Sequence, residues 1–200
     1  MTLTIRTLAD SEVPAAAAVL GDGMRDNPIH IRAFGEDPAD RQRALTQLFE
    51  SVLRRVRNKG VIEGAFQDGL LVAVCGRLAP GNCRVTLGQK LGFLPALKKG
   101  NSWATVFRVL GWAGAWAKRD PDSTHWHLGP VGVLRAEQGK GVGRELLKSF
   151  CARMDTDHVA AYLETDKDVN VKIYEKSGFK IVAQEDVIGV PCWYMTRPPR

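Results

Sequence analysis

The chain lacks any paired-cysteine signature. Its four cysteines, Cys75, Cys83, Cys151 and Cys192, stand far apart, with no Cys-x-x-Cys and no histidine at zinc-ligand spacing beside them. That spacing argues against a disulfide framework and a zinc finger, and it predicts reduced thiols and no metal. Long apolar runs are also missing: no uncharged stretch is long enough to cross a bilayer. The opening Met1-Thr2-Leu3-Thr4-Ile5-Arg6 has no basic-then-apolar leader order. The expectation is a soluble, cytoplasmic protein with no membrane partner. Basic and aromatic residues do not interleave on any strand or recognition helix, which speaks against nucleic acid as a partner.

What is present suits one globular domain over residues 1–200, with 44% hydrophobic and 25% charged residues. The formal net charge is +6, and its densest cluster is Arg54-Arg55-Val56-Arg57-Asn58-Lys59. That cluster closes an amphipathic helix, where cations complement the helix dipole and face water. The wider positive field suits steering of an anionic cofactor.

Periodicity predicts the elements. Residues 3–8 alternate as a strand, and a helix follows that Pro14 tolerates only in its first turn and that Gly21 and Gly23 weaken. Leu45, Leu48, Phe49, Val52, Leu53 and Val56 recur at helical spacing within residues 38–59. Strands over 61–66 and 70–78 flank Asp68-Gly69, a hairpin signal. Residues 80–100 read as irregular, with a short helix near 94–99. Residues 103–118 form an apolar helix carrying Trp103, Phe107, Leu110, Trp112 and Trp116. It suits the core, or the wall of an acceptor pocket.

The informative stretch runs from residue 125 to 197. A strand over 125–134 leads into Gln138-Gly139-Lys140-Gly141-Val142-Gly143-Arg144, then a helix whose Val142, Leu146, Leu147, Phe150 and Met154 share one stripe. A strand over 159–165, a helix over 168–176 and two closing strands follow, with the tail from Arg197 frayed. A helix joining two strands this way makes them parallel. The glycines let the backbone approach a ligand, and the helix N-terminus adds free N–H donors, so the loop suits a phosphate or diphosphate. It is not a mononucleotide P-loop, because Arg144 and Glu145 follow Gly143 where Lys and Ser or Thr are needed. It is not a dinucleotide fingerprint either, which needs Gly or Ala at 144.

Asn170 and Tyr174 lie four apart on the last helix and share a face, in the pattern Asn170-x-x-x-Tyr174-x-x-x-Gly178-Phe179. Together with residues 138–143 this resembles the two cofactor segments of the GNAT superfamily of N-acetyltransferases, in the same order. Tyr162-Leu163-Glu164-Thr165, Trp193-Tyr194-Met195-Thr196-Arg197, Trp126, Val131-Gly132-Val133 and Asp26-x-Pro28 narrow the resemblance to the puromycin N-acetyltransferases, clearest over 126–197. Arg135 departs from the proline often found there.

The resemblance implies an α/β GNAT fold, a mixed sheet of about six to seven strands with helices on both faces. It implies acetyl coenzyme A as co-substrate, without a metal, and direct transfer to a primary amine of a small molecule such as puromycin or another amine metabolite. A protein amine, or coenzyme A binding without turnover, is the alternative. The cofactor would contact Val131, Gly132, Val133, Gln138, Gly139, Lys140, Gly141, Val142, Gly143, Arg144 and Asn170. Tyr174 would be the general acid. Glu164 would orient or deprotonate the amine, and His125 and His127, alternating on the preceding strand, are weaker candidates for that task. A homodimer is left open.

Overall fold

The computed structural model describes residues 3–83, 94–95 and 97–199. Its strands are β1 (Leu3–Thr7), β2 (Gly60–Gln67), β3 (Leu70–Leu78), β4 (His125–Val133), β5 (Ala160–Thr165), β6 (Lys180–Val187) and β7 (Val190–Arg197). They form a seven-stranded sheet in the order β1-β2-β3-β4-β5-β7-β6. Neighbours are antiparallel except β4 and β5, which run parallel. The helices are α1 (Val13–Met24), α2 (Pro28–Phe34), α3 (Pro38–Lys59), α4 (Trp103–Arg119), α5 (Val142–Asp157) and α6 (Asp168–Lys176).

The expected mixed sheet with helices on both faces is what the residues build. On one face α1, α2, α3 and α4 bury Leu20, Ile29, Leu53 and Trp112 against Ile62, Val74 and Cys192. On the other, α5 and α6 bury Leu146, Phe150, Met154 and Val171 against Ala73, Leu163 and Met195. The stripe on α5 is fully used: Val142, Leu146, Leu147, Phe150 and Met154 are all buried. No helix among the described residues is long and apolar enough to cross a membrane.

Three local expectations change. First, Gly21 and Gly23 do not weaken α1, which runs on to Met24. They let it pack closely: a Cβ on Gly23 would sit 2.2 Å from Val133 O, and one on Gly21 2.2 Å from Thr46 Oγ1. Second, the stretch after Asn27, where the sequence offered no element, forms α2, with Pro28 in its first turn, where a missing N–H costs nothing. Third, Arg197 is not frayed. It is 3% exposed, closes β7, and donates to both carboxylate oxygens of Asp155 at 2.8 and 2.7 Å. The irregular stretch expected over 80–100 lies largely outside the described residues.

Around β4 the sheet opens. Its pairing with β5 stops at His127↔Tyr162, although β4 continues to Val133 and β5 to Thr165. On its other edge the register jumps from Arg77↔Leu128 to Cys75↔Val131, so Gly129 and Pro130 together face Gly76. This is the bulge expected of a proline that has no donor for the ladder. The two parallel strands therefore diverge just before the glycine loop.

Candidate active site

A cleft of about 1210 Å³ occupies the divergence. Val131, Gly132 and Val133 from β4, Gln138, Gly139, Lys140, Gly141, Val142, Gly143 and Arg144 from the loop and α5, and Asn170 and Tyr174 from α6 all line it. The two sequence segments, some thirty residues apart, thus share one cavity. Lys148, Lys167, Lys176 and Arg197 join Lys140 and Arg144 in the lining, against Glu137, Glu145 and Asp155. That excess of cations favours an anionic guest.

The loop's backbone explains its glycines. Gly139 and Gly141 have φ of +78° and +89°, and a Cβ on either would meet no atom within 4 Å. Conformation rather than crowding requires glycine there. Gly141 caps α5, whose opening N–H groups have no partner within the helix. Lys140 Nζ lies 3.1 Å from Glu137 Oε2, and the Arg144 side chain is 78% exposed at the mouth. Gln138 ties the loop to its neighbours through its side-chain amide nitrogen. Nε2 donates to Gly23 O at 2.9 Å and Val133 O at 3.0 Å, fastening the strand end to α1. Arg135 donates its backbone N–H to Asp22 Oδ2 at 2.9 Å, a bond that a proline there would lack.

At the inner end Tyr174 packs edge-on against Phe179, ring centroids 5.8 Å apart. Burial pushes its hydroxyl well above the ordinary phenol range, with the Cys75 and Asp166 charges adding to the rise. It therefore keeps its proton at neutral pH. Asn170 Nδ2 donates to Thr165 Oγ1 at 3.3 Å, which turns α6 onto the end of β5. Cys75 also lines the cleft, but burial pushes its thiol up to about 12, so it is a poor nucleophile.

Glu164 lies elsewhere. It is not among the cleft-lining residues; its side chain is 4% exposed, and Oε2 lies 2.9 Å from His127 Nε2. His125 and His127 meet Asp120 and Cys83 in a cluster whose donor atoms all lie within 4.8 Å of one another. Burial raises the Cys83 thiol, but hydrogen bonds with His125 and His127 outweigh it and bring it to about 7. Burial likewise lowers His125, but Asp120 and Cys83 outweigh it and lift it to about 10. The anions of this cluster thus demand positive charge among them. Sequence reading passed it over because Cys83 stands 37 residues before Asp120; the available signal was His-x-His on a strand, which puts both rings on one face. It also missed Asp166, whose Oδ2 accepts the Ile29 N–H.

A model of the acetyltransferase (GNAT) family matches residues 86–179, which include β4, the glycine loop, α5, β5 and α6. An N-acetyltransferase of Schizosaccharomyces pombe, itself uncharacterised, is 25% identical over 197 residues, spanning 92% of this chain and 78% of the relative. The likeness to the GNAT family falls on the stretch that carries the glycine loop, Asn170 and Tyr174. Solved structures agree on the GNAT fold. An acetyltransferase of Corynebacterium glutamicum, described as histone acetyltransferase HPA2 and related acetyltransferase, superposes with a TM-score of 0.75 at 21% identity, covering 100% of this chain and 98% of that one. A polyamine N-acetyltransferase of Drosophila melanogaster gives a TM-score of 0.60 at 14% identity, covering 98% of this chain and 100% of its own.

Proposed function

We propose that this chain transfers the acetyl group of acetyl coenzyme A directly to the primary amine of a small molecule. The observation that carries the reading is the single cleft that unites residues 131–133, the glycine loop, Asn170 and Tyr174. Its cationic rim and the α5 N-terminus suit a diphosphate, and its length along β4 suits an extended pantetheine arm. The co-substrate supplies the thioester carbonyl and a thiolate leaving group. Backbone N–H groups of residues 131–133, beside the bulge, would polarise the carbonyl oxygen. The Tyr174 hydroxyl, protonated at neutral pH, would hand its proton to the departing sulfur. Glu164, held against His127 outside the lining, is assigned a positioning role behind the strand end rather than direct proton abstraction.

For the acceptor, a small amine suits the aromatic side of the sheet. The His30 ring lies 5.2 Å from Trp112, which lies 5.2 Å from Trp116. The resemblance to puromycin N-acetyltransferases points the same way, and the Drosophila neighbour is named for a polyamine. The test is release of free thiol from acetyl coenzyme A over a panel of amines, with puromycin and polyamines first. Thiol release with at least one small amine supports the reading. Release only with peptide amines would move the acceptor to proteins, and coenzyme A binding without release on either panel would leave a binding domain.

A further inference from the structure

The cluster at the start of β4 lies outside the acetyl-transfer cleft and has a geometry of its own. His125 and His127 flank Trp126, which packs into the α5 side of the sheet, so both imidazoles stand on the opposite face. There they meet Asp120, the residue that ends α4, and Cys83, which follows β3. His125 Nε2 is 3.1 Å from Asp120 Oδ1, and His127 Nδ1 is 3.3 Å from the same oxygen. A tetrahedral ion with bonds of about 2.0–2.3 Å places its donor atoms roughly 3.3–3.8 Å apart. The side chains already stand near that spacing.

We propose that Cys83 Sγ, an Asp120 carboxylate oxygen, His125 Nε2 and His127 Nδ1 bind one divalent transition-metal ion, zinc in preference to others. The tautomers are set for it. His125 Nδ1 lies 2.7 Å from Ser123 O, a pure acceptor, so that nitrogen carries the hydrogen and Nε2 turns its lone pair inward. His127 Nε2 lies 2.9 Å from the Glu164 carboxylate, so Nδ1 is the inward lone pair. Buried His127 Nδ1 has no hydrogen-bond partner among the described residues, the nearby Asp120 oxygen lying out of line. An outer nitrogen tied to a carbonyl or a carboxylate is the support that metal-bound histidines use.

The donor set selects the ion. One thiolate, two imidazoles and a single carboxylate disfavour calcium and magnesium, which need six or more oxygens or retained water. They suit zinc, whose two charges the thiolate and Asp120 neutralise. Beside them the Arg55 guanidinium donates to Asn82 O at 2.8 Å and Cys83 O at 3.1 Å, which holds the segment that carries Cys83. All four donors come from the chain, so the site is closed and structural. It would pin the end of α4 and the segment after β3 onto β4, and make Glu164 the orienting partner of a ligand.

The test uses the full chain, free of any affinity tag and purified without chelators. Elemental analysis should find about one zinc per chain. Replacement by cobalt should give the intense visible bands of a tetrahedral ion and a near-ultraviolet sulfur-to-cobalt band. Cys83→Ala should abolish the sulfur band, and His125→Ala should lower the bound metal several-fold. Three results would overturn the proposal: no metal retained or taken up from stoichiometric zinc or cobalt; a cobalt spectrum of octahedral type without sulfur; or undiminished metal in both variants. The wild-type cobalt spectrum decides the matter even if a variant fails to fold.

Discussion

Asp166 Oδ2 accepts the backbone N–H of Ile29 at 2.8 Å, joining the end of β5 to the first turn of α2 across 137 residues. Asp166 is 5% exposed and its Oδ1 also accepts from Asn27 Nδ2 at 3.4 Å, so its carboxylate holds Asn27, which lines the cleft. Asp166→Ala should cost about 1–3 kcal/mol by leaving the Ile29 donor buried and unpaired. Asp166→Asn, which keeps an acceptor, should cost less. Urea unfolding of both variants measures the difference, and equal stability of Asp166→Ala and the parent would remove this tie from the account.

Gly141 is the sharpest probe of the loop. Valine there has open space but must adopt φ near +89°, which a β-branched residue resists. Gly141→Val should turn the α5 N–H groups away and weaken coenzyme A binding roughly tenfold or more, about 1.4 kcal/mol. Calorimetry checks it, with far-ultraviolet circular dichroism as the fold control. An unchanged Kd would contradict the assignment of the loop to the cofactor.

Tyr174→Phe keeps the packing on Phe179 and removes the proton. Turnover should fall by about 10²-fold with little change in cofactor affinity. Parent-like thiol release across the pH range would take Tyr174 out of the mechanism.

The Cys75 thiol gives a pH prediction of definite sign. Burial first, and the Glu63 charge second, push it up to about 12. In the unfolded chain the thiol ionises near 8.5. Between these values the unfolded state has lost a proton that the folded state keeps, so Cys75 lowers stability progressively as pH rises from about 8.5 towards 12. Denaturant midpoints over that range should fall less steeply in Cys75→Ala than in the parent. Cys75 should also resist alkylation at pH 8 until urea is added.

Asp155→Ala should leave the Arg197 guanidinium buried with Ser177 O at 2.9 Å as its remaining acceptor. The Asp155 side chain is 30% exposed, so the cost should be about 1–3 kcal/mol, below the roughly 3–5 of a fully buried pair. A thermal melt compares the two proteins.

The sequence was most legible where local chemistry and fold agree. The α5 stripe, the Asp68-Gly69 hairpin and the run from β4 to α6 all carry their signal within a few residues, and the two segments proposed to hold the cofactor belong to that run. Legibility failed where a residue's purpose lies across the sheet. Gly23 reads as a helix breaker until Val133 O is found where its Cβ would be. Arg197 reads as a loose tail until Asp155 is found beside it. Glu164 reads as a group that meets the amine, because its partner His127 lies 37 residues away on a neighbouring strand. Cys83 and Asp120 meet the two histidines only through tertiary structure, which spacing along the chain does not encode.

The short parallel register between β4 and β5 has a mechanical side. It divides the sheet into two antiparallel plates, β1 to β4 and β5 to β7, whose backbones are stitched by the register pairs from His125↔Ala160 to His127↔Tyr162 alone. Each plate holds one of the two hairpins, β2–β3 and β6–β7, so a small rotation about this seam would widen or narrow the cavity without breaking either. The His127 to Glu164 contact crosses the seam beside the last stitch. It acts as a stop that limits how far the plates can part.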